Sequence, residues 1–213
     1  MSLLDQIKRL LGVTEKPPFD PSVFGDPLAQ RIDWSPLVQG GTNIRTHQLD
    51  FQHSQRLEFR ATAAARFCAG IFIVLPATLI LAAFVKKNFP WAAAIVGAVL
   101  LTIGIALWRE FTKPIVFDKA RGWYWKSRQE PLGLPRRENL KAACKLDEIR
   151  ALQILGERCK TKNSSFYSYE LNLVLSDGSR LGVVDHGRLE ELRTDAQHLA
   201  EFLGVPIWEK PDL

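Results

Sequence analysis

The stretch that decides the fold is residues 67–108, FCAGIFIVLPATLILAAFVKKNFPWAAAIVGAVLLTIGIALW. Two apolar runs, 67–85 and 91–108, carry no formal charge and are parted by only Lys86, Lys87, Asn88, Phe89 and Pro90. Each run is close to the roughly 20 residues that cross a hydrocarbon core as a helix. A backbone in lipid must satisfy its own hydrogen bonds, and so short a linker leaves an antiparallel helical hairpin as the simple arrangement. A buried hairpin in a soluble protein would show a polar stripe at helical period, and neither run has one. The near-neutral hydropathy of the whole chain follows from the polar residues around the two runs.

Sidedness follows from the basic residues beside the spans, because Lys and Arg stay on the cytoplasmic side. Arg56, Arg60 and Arg66 precede the first run, and Arg109, Lys113, Lys119, Arg121, Lys126 and Arg128 follow the second, against Lys86 and Lys87 in the loop. Both termini are therefore expected in the cytoplasm, with the chain held in a bacterial inner membrane. Trp91 and Trp108 bracket the second span as interfacial aromatics and, with Arg66, Arg109 and Lys113, mark the membrane boundary. The first run starts too far along the chain for a cleaved signal peptide, so it is expected to persist.

Small residues mark a packing side of the second span. Ala94, Ala98, Thr102 and Ala106 recur every four residues, and Gly97 and Gly104 add small surfaces. They are expected to pack on the first span, with homo-oligomerisation as the alternative use. No Asp, Glu, Lys, Arg or His lies within either run, which argues against transport or proton relay.

Four segments are expected. Residues 1–14 read as an amphipathic helix, and 15–66 as a Pro/Gly-rich arm followed by short strands at 44–59. Residues 67–108 are the transmembrane hairpin, and 113–213 a cytoplasmic domain. In that domain 113–118 and 123–128 alternate about the turn 119–122, 146–155 gives another strand, and 167–175 and 179–184 flank Asp177-Gly178, a strong hairpin signal. Residues 188–203 place Leu189, Leu192, Ala196, Leu199 and Leu203 on one stripe, with Gly204 and Pro206 ending the helix. The fold class is thus α+β, a helical hairpin plus a mostly antiparallel sheet capped by a C-terminal helix.

Ile115-Val116-Phe117-Asp118 with Gly122 and Trp125, Leu146-Asp147-Glu148-Ile149, Tyr169 to Leu175 with Asp177-Gly178, and the ending from Leu199 to Pro206 resemble bacterial two-span membrane proteins whose cytoplasmic part is similar to a pleckstrin-homology-like domain. The resemblance implies the architecture and carries no catalytic residue. It also implies a further strand, and 132–144 is expected either to supply it or to hold an insertion.

The chemistry-bearing motifs are few. Asp185-His186-Gly187-Arg188 reads as a turn with a capping role, since no nucleophile accompanies it. His47 and His53 would need further ligands to bind a metal, and Gly40-Gly41 lacks the rest of a phosphate loop. Cys68, Cys144 and Cys159 suggest neither a disulfide framework nor a zinc site. No catalytic, cofactor or metal site is therefore expected. Arg121, Trp123, Trp125, Lys126 and Arg128 mix aromatic and basic side chains close to a span and suggest headgroup or partner contact, not nucleic acid. The expected function is non-enzymatic: an adaptor, assembly factor or regulator whose partners are membrane lipid and a protein. An immunity protein against a toxin of the inner membrane is the alternative, and a membrane enzyme the distant one.

Overall fold

A computed structural model describes residues 19–85, 90–129, 143–160 and 164–210. The amphipathic 1–14 segment, the Lys86-Lys87-Asn88-Phe89 loop and most of 132–144 lie outside those residues.

The chain is α+β with two sheets. The first is an antiparallel meander of β1 (His47–His53), β2 (Arg56–Ala61), β3 (Ile115–Asp118), β4 (Trp123–Lys126) and β5 (Ala143–Lys145), in that spatial order. The second has β6 (Ile149–Lys160), β7 (Ser165–Leu175), β8 (Arg180–His186) and β9 (Ile207–Glu209) in the order β8-β7-β6-β9, antiparallel except for β6 with β9. β5 falls at the end of the segment where a further strand was expected.

The hairpin is inserted into the first sheet. α2 (Ala63–Val85) leaves from the end of β2, and α3 (Trp91–Phe111) returns into β3. Phe59 is paired with Ile115 and Leu57 with Phe117 across that insertion. A division of the chain at 66 and 113 therefore cuts through one sheet, because the strands before and after the helices share a single ladder. Thr62 makes the corner at the entry. Its N–H donates to the Thr46 carbonyl, and its hydroxyl accepts from the Ala65 N–H at 3.1 Å, satisfying one of the free donors at the helix start.

With 23 and 21 residues, α2 and α3 are about 34 and 31 Å long at 1.5 Å per residue, enough for a hydrocarbon core of about 30 Å. Only 17% of the apolar stretch of the first helix and 11% of the second are buried. A core helix of a soluble protein would be mostly covered. Their contact is a seam: Ala69, Ile73, Pro76, Ile80 and Ala83 from the first helix and Ala94, Gly97, Leu101, Gly104 and Trp108 from the second are buried or half-buried, with Ala65, Gly70, Ala82, Ala93 and Leu107 half-buried beside them. Steps alternating three and four average 3.5, the spacing of a left-handed helix pair. Ala98 and Thr102 are exposed, because a strict four-residue step drifts off such a seam.

The core lies between the two sheets. Leu57, Phe59, Ile115, Phe117 and Tyr124 from the first meet Leu152, Ile154, Leu171, Leu173 and Val183 from the second. Helix α4 (Leu189–Leu203) adds Leu192, Ala196, Leu199 and Ala200 to the same core, the stripe expected from its three- and four-residue steps. Each fully buried leucine there is worth about 1.5–3 kcal/mol of removed apolar surface. Gly204, at φ 74°, ends the helix in the left-handed conformation.

The Pro/Gly-rich arm is packed and does not hang as a linker. Its prolines start a short turn at Pro21–Phe24 and the helix α1 (Pro27–Arg31), capped by Asp20 and Asp26. Leu28, Ala29 and Ile32 cover Ala151, Val174 and Trp208 on the outer side of the second sheet. Further along, residues 33–44 form a strap tied to buried polar side chains: Glu170 accepts the Leu37 and Val38 N–H groups, and Gln153 donates to the Asp33 carbonyl. This is why both faces of β6 and β7 are buried although their sequences alternate.

Candidate functional site

At the foot of the hairpin, where α2 and α3 join the first sheet, a hollow of about 380 Å³ opens between helix and strand. Its polar wall consists of Arg60 from β2, Arg66 from the first turn of α2, Arg128 just beyond β4, Thr112 and Glu58, with the Trp108 ring as its apolar wall. The antiparallel register brings these together, since Ile115 at the start of β3 is paired with Lys126 at the end of β4. Arg128 therefore returns to the level of Thr112, to whose hydroxyl it donates. That hydroxyl in turn donates to the Trp108 carbonyl at 2.6 Å.

The charges in this hollow are unequally neutralised. Glu58, with its side chain 8% exposed, accepts from Arg60 at 2.9 Å and pairs with Arg56 at 2.8 Å. Arg60 also reaches Asp50 at 3.2 Å. Neither Arg66 nor Arg128 meets a carboxylate among the described residues. Two exposed guanidiniums are thus left facing the hollow.

A second basic hollow, about 460 Å³, lies at the opposite end of the β3–β4 hairpin, between Lys119, Arg121, Trp123, Lys145, Asp147 and Leu203. A smaller apolar one, about 260 Å³, is walled by Ile44, Ala65, Ala69, Phe72 and Phe111.

The residues expected at the membrane boundary separate by height. Trp91 is exposed at the start of α3, far from the sheet, edge-on to Phe84 with ring centres 5.9 Å apart. Trp108 is half-buried at the sheet end of α3, where its ring lies 3.5 Å from the place a Gly70 side chain would take. Arg66 and Arg109 are exposed at that same end, and Lys113 pairs with Glu110.

The expected contact cluster does not stay together. Strand alternation turns Tyr124 and Lys126 toward the core and Trp123 and Trp125 away from it. Lys126 donates to the Val183 carbonyl at 3.2 Å, and burial lowers its pKa. Trp125 is buried beneath the Arg56 guanidinium, 5.5 Å from its ring centre. Arg121 and Trp123 sit at the far end, and of the five only Arg128 lines the hollow at the foot of the hairpin. Arg60, Glu58 and Thr112 were missed because their importance depends on the β2–β3 pairing. The signal that existed was the string of arginines at 56, 60 and 66 approaching the span.

The Asp185-His186-Gly187-Arg188 segment is a strand-to-helix junction, in which the N-cap Arg188 makes no side-chain cap hydrogen bond and His186 ties down the turn instead. The His186 Nδ1 accepts the Arg188 N–H at 3.2 Å, which leaves the proton on Nε2, buried without a hydrogen-bond partner among the described residues. Burial, then the Arg45 charge, hold the His186 pKa down at about 4. Asp185 is pushed up to about 6 by burial and by Glu170, with Lys126 opposing. His47 uses both nitrogens, Nε2–H on the Lys113 carbonyl at 3.0 Å and Nδ1 on the Thr46 hydroxyl at 3.1 Å. A register shift separates His53 from Phe51 in β1. Among the described residues, no three His, Cys, Asp or Glu side chains converge as a metal site.

No protein-family model matches this chain, and no curated protein matches it.

Proposed function

We propose that this is an integral protein of a bacterial inner membrane, with two spans and both termini cytoplasmic. Its sheet-and-helix domain, which we read as pleckstrin-homology-like, works there without catalysis as an adaptor or regulator. The observation that carries this reading is the insertion of two largely uncovered apolar helices between β2 and β3, which pair directly. A domain attached through two adjacent strands keeps one end against the bilayer and cannot swing on a linker. The opposite end, with Lys119, Arg121 and Lys145, is then offered to an acidic protein surface in the cytoplasm.

The test has two stages. Alkaline carbonate washing should leave the chain in the membrane pellet, and its release into the supernatant without detergent would end the reading. A photo-crosslinker at position 121 should then yield a discrete protein adduct in the membrane fraction. Its absence from a membrane-held chain would count against the adaptor role.

A further inference from the structure

We infer that the hollow between Arg60, Arg66, Arg128, Thr112 and Trp108 binds the phosphate of an anionic phospholipid from the surrounding bilayer. The inference rests on the two-span reading and gives one ligand class for it.

A phosphate wants planar, multiply donating cations, and guanidinium supplies up to five N–H donors in a fixed fork. Arg66 and Arg128 reach the hollow, described in about 380 Å³, without any carboxylate to compete for them among the described residues. Arg128 spends one donor on Thr112, which fixes the direction of the side chain and leaves the rest without a carboxylate among the described residues. Glu58 is the one carboxylate in the wall among the described residues, and Arg56 and Arg60 already offset it from 2.8 and 2.9 Å.

Height decides between a lipid phosphate and a free one. Arg66 lies in the first turn of α2 and Trp108 in the last turn of α3, so the hollow opens where an apolar helix pair gives way to polar structure. Lipid headgroups are concentrated at that depth, and an indole prefers it. A bound headgroup would leave its acyl chains beside the uncovered flank of the helix pair, where Phe67, the neighbour of Arg66 in the chain, is 72% accessible in the protein alone. Basic pockets between membrane helices on the cytoplasmic side are a recognised way of holding anionic headgroups.

The full-length chain should be placed in nanodiscs of phosphatidylcholine with one-tenth phosphatidylglycerol and released for native mass spectrometry. Wild type should retain phosphatidylglycerol at least fivefold above its share of the disc. Arg66→Gln with Arg128→Gln should fall to that share, and Arg109→Gln, a charge at the same level outside the hollow, should not. Equal retention by wild type and the double variant would overturn the inference, as would an equal loss in Arg109→Gln. Displacement of the lipid by 10 mM inorganic phosphate would assign the site to free phosphate and also overturn it. Carbonate extraction of each sample reports on the spans separately, so failure of anchoring is distinguishable from failure of the site.

Discussion

Gly104 in α3 lies directly against the Phe72 carbonyl in α2, the one acceptor in that helix that Pro76 deprives of its i+4 donor. A Cβ on Gly104 would fall 2.7 Å from the Phe72 carbonyl carbon and closer still to its oxygen. A Cα hydrogen fits where a methyl does not, and Cα–H···O contacts recur at close helix pairs. Proline would otherwise leave a bare acceptor inside an apolar pair. The neighbouring helix supplies both the space and the weak donor.

Gly104→Ala should therefore force the helices apart. The expected cost is about 1–3 kcal/mol of overpacking. Thermal unfolding in mild detergent should show a fall of several degrees. Ala98→Leu, on the exposed side of the same helix, should leave the midpoint within about a degree. If Ala98→Leu proves the more damaging, the seam runs along the four-residue stripe instead.

Glu170 holds the strap by accepting the Leu37 and Val38 N–H groups at 2.9 and 3.1 Å and an Asn172 amide hydrogen at 3.1 Å. Hydrogen bonds to a charged acceptor are worth about 1.5–3 kcal/mol each in mutational data. Glu170→Ala should open residues 33–44 to protease while the sheets stay intact. Limited proteolysis followed by mass spectrometry would read this as new cleavage confined to the strap, and uniform degradation would refute a local role.

His186 gives a pH dependence of definite sign. Its folded pKa, about 4, lies below the ordinary value of 6.5, so the unfolded chain binds the extra proton first. The stability it contributes is complete above pH 6.5 and is lost as the pH falls toward 4. Asp185, raised to about 6, acts in the opposite sense, since its folded form binds a proton more readily than the unfolded one. His186→Asn keeps an acceptor for the Arg188 N–H and removes the titration. Between pH 7.5 and 4.5 the wild-type melting temperature should fall further than that of His186→Asn, and parallel curves would show that His186 contributes nothing.

Much of this architecture is written locally. Two uncharged runs give the hairpin, Asp177-Gly178 gives the β7–β8 turn, and the leucine spacing gives α4. The union of β2 with β3 is not local, because Phe59 and Ile115 are brought together across the whole hairpin and no short pattern records it. The hollow at its foot was hidden for the same reason. The strap was missed differently: Pro and Gly describe the backbone's own preferences, while its packing depends on Gln153, Glu170 and Asn172, polar residues that look solvent-facing until something covers them. Lys126 was misplaced by composition, since a basic residue beside aromatics reads as surface until strand alternation turns it inward.

Native cysteines permit a direct test of sidedness. Burial pushes the Cys144 thiol up to about 12 and raises Cys159 as well, so neither supplies thiolate at neutral pH. In a Cys68→Ser background the folded chain should take almost no impermeant maleimide. Arg121→Cys then adds one exposed thiol at the end of the domain far from the hairpin, and Lys87→Cys adds one in the loop between the spans. With the domain cytoplasmic, Lys87→Cys should label in intact spheroplasts and Arg121→Cys only in inverted vesicles. The reverse pattern would place the domain outside and invalidate the balance of nine basic residues against two from which sidedness was read. Labelling of both positions from one side would be worse still, since it would mean that the helices between β2 and β3 do not cross the bilayer.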